Sequence, residues 1–193
     1  MPSPRSAIGI VSFPHIFTAK APAPDADPRY SLVLIFDDTA QKTDDYRNMK
    51  KDVMAAATEK WGNKTVDMIK TGKLRMPFRD ASEKDYAGYD EGSVFVSFWS
   101  KNAPGIVGPR LEDLAPSDVF PGMKGRVTYS AFAYDVSGNK GVSFGLNNFQ
   151  GIDFDMPRLD GRSKANEDFD ALDDPEDDTG ADLDDDIPFL ITP

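Results

Sequence analysis

The chain has 193 residues, no cysteine and a single histidine, His15, and its 33 Asp and Glu outweigh 22 Lys and Arg to give a net charge of −11. Disulfides, thiolate metal sites, cysteine nucleophiles and any centre that needs two imidazoles are thereby excluded. No stretch approaches the ~20 apolar residues of a membrane-spanning helix. Met1–Arg5 is followed by no apolar run of the kind a secretory signal requires, which points to the cytoplasm.

Residues 6–19 are β-branched and aromatic and are interrupted by Pro14, so they predict a strand that bends or bulges at the proline. APAPDADP at 21–28 predicts a loop. Tyr30–Phe36 is an apolar run and predicts a buried strand, ended by Asp37, Asp38 and Thr39. Thr43 is a suitable N-cap, with Asp44 and Asp45 in the first turn where the helix dipole favours acids. Tyr46, Met49, Val53, Met54, Ala57 and Trp61 then recur at helical spacing up to Gly62 and predict a core-facing stripe. A short second helix is expected near Lys64–Lys70.

Residues 73–92 predict a long excursion. Ser93–Ser100 predicts a strong strand, Gly105–Arg110 a short one, and Pro116–Phe120 a helical turn closed by Pro121-Gly122. Gly125–Asp135 and Gly141–Phe149 flank a Ser-Gly-Asn link at 137–139, a hairpin signal. The strands come in runs rather than alternating with helices. The expectation is a mainly β fold: an OB-like five-stranded antiparallel barrel with an inserted helix, over residues 1–160, followed by a disordered acidic tail at 161–193.

Charge is segregated along the chain. Residues 1–164 hold all 22 bases against 21 acids, a net of +1, while residues 165–193 hold 12 acids and no base. A near-neutral body can still carry a basic groove, because binding follows the local field. The acidic segment repels itself and lacks the apolar surface to fold. Its tip changes character, with Asp184, Asp185 and Asp186 followed by Ile187, Pro188 and Phe189. Acids beside an apolar anchor make a short docking peptide for a basic, greasy pocket. A calcium loop starting at Asp174 fails, since its sixth and twelfth positions are Thr179 and Asp185 rather than Gly and Glu. No metal site or cofactor is expected.

Asp184–Phe189 resembles the acidic tip of bacterial single-stranded DNA-binding proteins, which ends Asp-Asp-Ile-Pro-Phe. The body, through Phe13-Pro14, the Pro-Gly-x-x-Gly-x-Val segment at 121–127 and the Gly141–Phe149 strand, is similar to bacteriophage single-stranded DNA-binding proteins with an OB fold and an acidic C-terminus. The resemblance implies a non-enzymatic, sequence-nonspecific binder that protects single strands in phage DNA replication or recombination, in the cytoplasm of the bacterial host. It also implies replication or recombination proteins as partners of the tail, with self-association left open. In one respect the chain departs from the bacterial pattern: Leu190–Pro193 follow the phenylalanine, so a phage-encoded partner suits the tail better than a host one.

Such a binder needs cations along the phosphates and flat side chains for the bases. In Ser93–Lys101, alternation puts Val94, Val96 and Phe98 on one face and Phe95, Ser97, Trp99 and Lys101 on the other. The second set reads as a stacking platform, although the pattern equally fits a strand buried on both faces. In Gly125–Tyr134, Arg126, Thr128, Ser130, Phe132 and Tyr134 share a face, and Arg126 is the leading cation there. Lys73, Arg75 and Arg79 fall on one side of an extended segment with Met76 and Phe78 pointing away, and Lys101 and Arg110 bracket a loop. Tyr30, Tyr86 and Tyr89 are weaker candidates. The tail, as a tethered anion, is expected to compete for the groove. Rival readings are an acidic DNA mimic or inhibitory protein, a Mg-dependent nuclease using acids such as Asp37-Asp38, and a virion structural protein.

Overall fold

The computed structural model of the protein describes residues 3–162. The acidic segment and its Asp184–Phe189 tip lie outside the described residues. β1 (Gly9–Lys20) and β2 (Arg29–Phe36) form an antiparallel hairpin across the 21–28 loop. α1 (Asp38–Gln41), α2 (Asp44–Trp61) and α3 (Thr65–Lys70) follow, then a two-residue strand β3 (Arg79–Asp80), β4 (Val94–Ser100), β5 (Gly105–Val107) and the long hairpin β6 (Lys124–Val136) with β7 (Asn139–Asp153).

Five of these strands pair in a ring. β1 pairs with β2, β2 with β4, β4 with β7, β7 with β6, and β6 with β1. Four seams are antiparallel, as expected of the OB-like barrel, and the closing β4–β7 seam is parallel. That seam is held by only two residue pairs, Phe98 with Phe144 and Trp99 with Gly145. β3 and β5 extend the sheet at its margins, beside β4 and β7.

Local chemistry explains each element. The Thr43 hydroxyl accepts from the Tyr46 N–H, and Asp44 and Asp45 occupy the first turn of α2. Gly62 ends the helix at φ +57°. Tyr46, Met49, Val53 and Ala57 are buried from the stripe and pack toward β6 and β7. Met54 departs from the expected stripe: it faces solvent, because its position falls off the buried arc set by Met49, Val53 and Ala57. The Tyr129 hydroxyl donates to Asp52 at 2.7 Å and ties the helix to β6. Together with desolvation, this bond drives the Tyr129 phenol far above its usual range.

The β6–β7 link is a two-residue turn with both central residues, Ser137 and Gly138, at positive φ, the geometry that suits the twist of a hairpin. The Pro116–Phe120 segment, expected as a helical turn, forms a hydrogen-bonded turn, with the Asp118 N–H donating to the Ala115 carbonyl. Inside the ring, Phe98, Tyr129 and Phe144 are fully buried with ring centroids 4.9–6.4 Å apart. A second, smaller core of Ile35, Ala81, Tyr89 and Phe95 lies apart from this one.

Candidate nucleic-acid interface

Alternation along β4 turns Val96 and Phe98 inward and leaves Ser97 and Trp99 on the outer face. The β6–β7 register sets Phe132 opposite Ser143 and Tyr134 opposite Gly141 on that same outer side. Trp99 is fixed there from three directions. Its indole N–H donates to the Ser143 hydroxyl at 3.1 Å, its ring meets Phe132 edge-on at 5.7 Å, and the Arg29 guanidinium lies 4.8 Å from its ring centroid. Partial burial lowers the Arg29 pKa from its ordinary value, while a guanidinium still keeps its charge in proteins.

Arg29, Trp99, Phe132, Tyr134, Val136 and Ser143 line a depression of about 450 Å³. It shares Tyr134 and Ser143 with a second depression of about 660 Å³ that contains Arg75, Arg79 and Ser97. On its other side it shares Arg29 and Trp99 with a third that reaches Lys101 and the β1–β2 loop. Shared lining residues set the three side by side as a furrow, with the rings and Arg29 in the middle, Arg75 and Arg79 on one side and Lys101 on the other. Gly141 lets Tyr134 and the Arg75 segment approach closely: a Cβ there would lie 2.5 Å from the Tyr134 hydroxyl and 2.7 Å from the Arg75 carbonyl oxygen. The backbone of Arg75 bonds on both sides of it, to Lys140 and Val142, which anchors the basic segment to β7.

Trp99, Lys101, Arg75 and Arg79 thus meet in one furrow. Two of its cations already hold acids. Lys101 lies 3.8 Å from Asp27, and Arg79 is paired with Glu83. Phe95 corrects the expected platform. It points to the outer side, but the segment Ala81–Tyr89 covers it, and at 5% exposure it is part of the smaller core, with Arg79 stacked over its ring. Lys73 is exposed and does not line the furrow. Arg126 shares the outer face of β6 with Phe132 and Tyr134 but lies toward the other end of the hairpin, where its guanidinium donates twice to the Gln150 side-chain oxygen at 2.8 and 3.0 Å. Arg110 stands in the loop after β5, its N–H bound to Glu112. Of the weaker candidates, Tyr89 is buried, Tyr30 is half-buried, and Tyr86 is exposed.

Sequence reasoning passed over Arg29, which becomes a site residue only through the pairing of β2 with β4. Asp37 and Asp38, the acids of the nuclease reading, are otherwise engaged: Asp37 caps α1 through the Ala40 N–H at 2.8 Å, and Asp38 pairs with Lys42 at 2.8 Å. Among the described residues no group of three or more acids or histidines is placed to hold a metal ion. No helix among them is long and apolar enough to cross a membrane.

The family described as Enterobacter phage Enc34, ssDNA-binding protein, matches residues 9–179. The solved structure of the single-stranded DNA-binding protein from bacteriophage Enc34 in complex with ssDNA superimposes with a TM-score of 0.64 at 14% identity, over 79% of this chain and 87% of that one. The single-stranded DNA-binding protein gp2.5 encoded by bacteriophage T7 gives 0.57 at 15% identity, over 85% and 92%. At these identities the likeness concerns the fold. Protein p50 of Acyrthosiphon pisum secondary endosymbiont phage 1 is 30% identical over 115 residues, which span 56% of this chain and 61% of that protein.

Proposed function

The chain belongs to the family of the Enterobacter phage Enc34 single-stranded DNA-binding protein, and on that footing we propose that it binds and protects single-stranded DNA without regard to sequence during phage DNA replication and recombination. The observation that carries this reading is Trp99: an indole held by Ser143, Phe132 and Arg29 in an outer furrow with Arg75 and Arg79 at one end and Lys101 at the other. Every base has a π-face, so stacking on a fixed ring tolerates any sequence, and arginines along the path meet the phosphates. The furrow serves binding rather than catalysis.

Titration of the full chain with oligo-dT across a salt series tests the reading. Affinity falls linearly on a log–log plot as salt rises. Trp99→Ala lowers it on the order of tenfold to hundredfold, the loss of about one stacked base. Retention of no single strand, or a Trp99→Ala protein indistinguishable from the parent, would overturn it. Parallel titrations with duplex DNA and RNA define the range of ligands.

The tail has two roles in this reading, both resting on its sequence. Its 12 acids compete with DNA for the furrow, since tethering raises local concentration to the ~mM range. Asp184, Asp185, Asp186, Ile187, Pro188 and Phe189 recruit replication or recombination proteins once DNA has displaced the tail, in the host cytoplasm. Truncation after Lys164 raises oligo-dT affinity at low salt; an unchanged affinity refutes the competition.

A further inference from the structure

β1 carries a strained aromatic that neither the core nor the furrow explains. Ser12 pairs with Val33 and His15 with Ser31, so two residues of β1 oppose one of β2 and the strand bulges. Pro14, which cannot donate to the ladder, occupies one bulge position. Phe13 occupies the other at φ +46°, a conformation that bulges ordinarily give to glycine. Its ring is nevertheless 46% exposed. A phenylalanine that leaves nearly half of its surface in solvent while holding a left-handed backbone costs the fold stability, and such costs collect at functional positions.

Phe13 does not stand alone. Tyr86, 53% exposed, meets it edge-on at 5.5 Å. Tyr86 in turn rests on Tyr89 at 5.6 Å, and the Tyr89 hydroxyl donates to the Ser12 hydroxyl at 3.3 Å. Tyr89 packs on Phe95, which Arg79 covers from the furrow side. The exposed pair therefore sits on a fixed layer of rings that is continuous with the furrow. The strand register gives a second connection, because Trp99 pairs with Ser31 and Ser31 with His15, two residues from Phe13. Two strand spacings amount to about 10 Å.

We propose that Phe13 and Tyr86 form a second base-stacking site, which takes a nucleobase of the same single strand after it leaves Trp99. This rests on the reading of the furrow as a single-strand channel. The loop that carries Tyr86 holds three acids, Asp85, Asp90 and Glu91, against one base, Lys84. Charge therefore does not hold the strand at this end, and ring contact does.

Two properties follow, of which a distal phosphate site would share the first and lack the second. The contribution depends on oligonucleotide length, and it is insensitive to salt. The full chain, Phe13→Gly, Tyr86→Ala and Trp99→Ala are titrated with oligo-dT of about 4 and about 20 nucleotides, lengths chosen around the footprint of one OB fold. Phe13→Gly and Tyr86→Ala each weaken the longer oligonucleotide roughly tenfold while the shorter one and the salt slope stay as in the parent. Phe13→Gly melts no lower than the parent, because glycine relaxes the bulge. Equal affinity of both variants and the parent for the longer strand overturns the second site, as does a loss that tracks salt. Failure of the parent to bind, or indifference to Trp99→Ala, instead overturns the furrow itself.

Discussion

The inner and outer faces of β4, β6 and β7 both carry aromatic rings, and the two sets differ in what surrounds them. Inside, Phe98, Tyr129 and Phe144 touch one another, and Phe78 packs edge-on against both Phe144 and Tyr46. Outside, Trp99, Phe132 and Tyr134 have solvent on one side and Arg29, Arg75 and Ser143 around them. The residue types are nearly the same. The two sets are separated by what lies across from the ring, other apolar rings in one case and water with cations in the other. Phe95 marks the boundary between the cases: it is on the outer side, yet a lid of chain from Ala81 to Tyr89 turns it into core.

The sharpest way to break this contrast is Phe144→Ala. Removing a fully buried ring from the inner set costs about 3–5 kcal/mol, read as a lower urea midpoint. Trp99→Ala, a half-buried position, costs about 1–2 kcal/mol by loss of contact area and moves affinity instead. Equal stability losses at the two sites would erase the distinction between the faces.

Alkaline pH probes the inner face separately. Burial pushes the Tyr46 phenol up to about 12 and raises that of Tyr129 further, through desolvation and its bond to Asp52. The unfolded chain gives up these protons near the ordinary tyrosine value, so stability is intact below it and drains away as pH climbs toward the folded values. Denaturation midpoints should fall steeply between pH about 10 and about 12, with Tyr129→Phe, which has no proton to lose, less affected.

Charge on the outer face is sharpened by Arg29→Ala and Arg75→Ala. Each should lower the slope of log affinity against log salt by about 0.7, the value for one phosphate contact to a single strand. An unchanged slope would place that cation off the path. The smallest expected effect is a gain: Asp27→Asn frees Lys101 from its exposed partner and should raise affinity about two- to threefold at low salt, the scale of a surface ion pair.

Much of this architecture was legible in alternation and turn chemistry. The inward set of β4, the outward row from Arg126 to Tyr134, the α2 cap and the β6–β7 hairpin all depend on neighbours within a few residues. Alternation does not decide Phe95, because its cover comes from a segment ahead of its own strand with no periodic signal. Arg29 carries no signal in the sequence because it reaches Trp99 through cross-strand pairing, and register between distant strands is not written in either one. Pro14 announced the bulge, but nothing in the sequence says that a bulge will turn the preceding ring outward. The candidate cations Lys73, Arg110 and Arg126 have the right chemistry and lie off the furrow, which only the folded path of the chain decides.

The β4–β7 seam has a mechanical consequence. It is the shortest joint in the ring apart from the β1–β6 contact, and Trp99 belongs to one of its two pairs. On the path proposed above, a strand of DNA lying along the furrow crosses this joint and grips both of its sides, acting as a splint on one of the two shortest joints of the cylinder. Backbone amides around Trp99 and Gly145 should then exchange hydrogen more slowly in the nucleoprotein than in the protein alone, so that the ligand stiffens the wall it rests on.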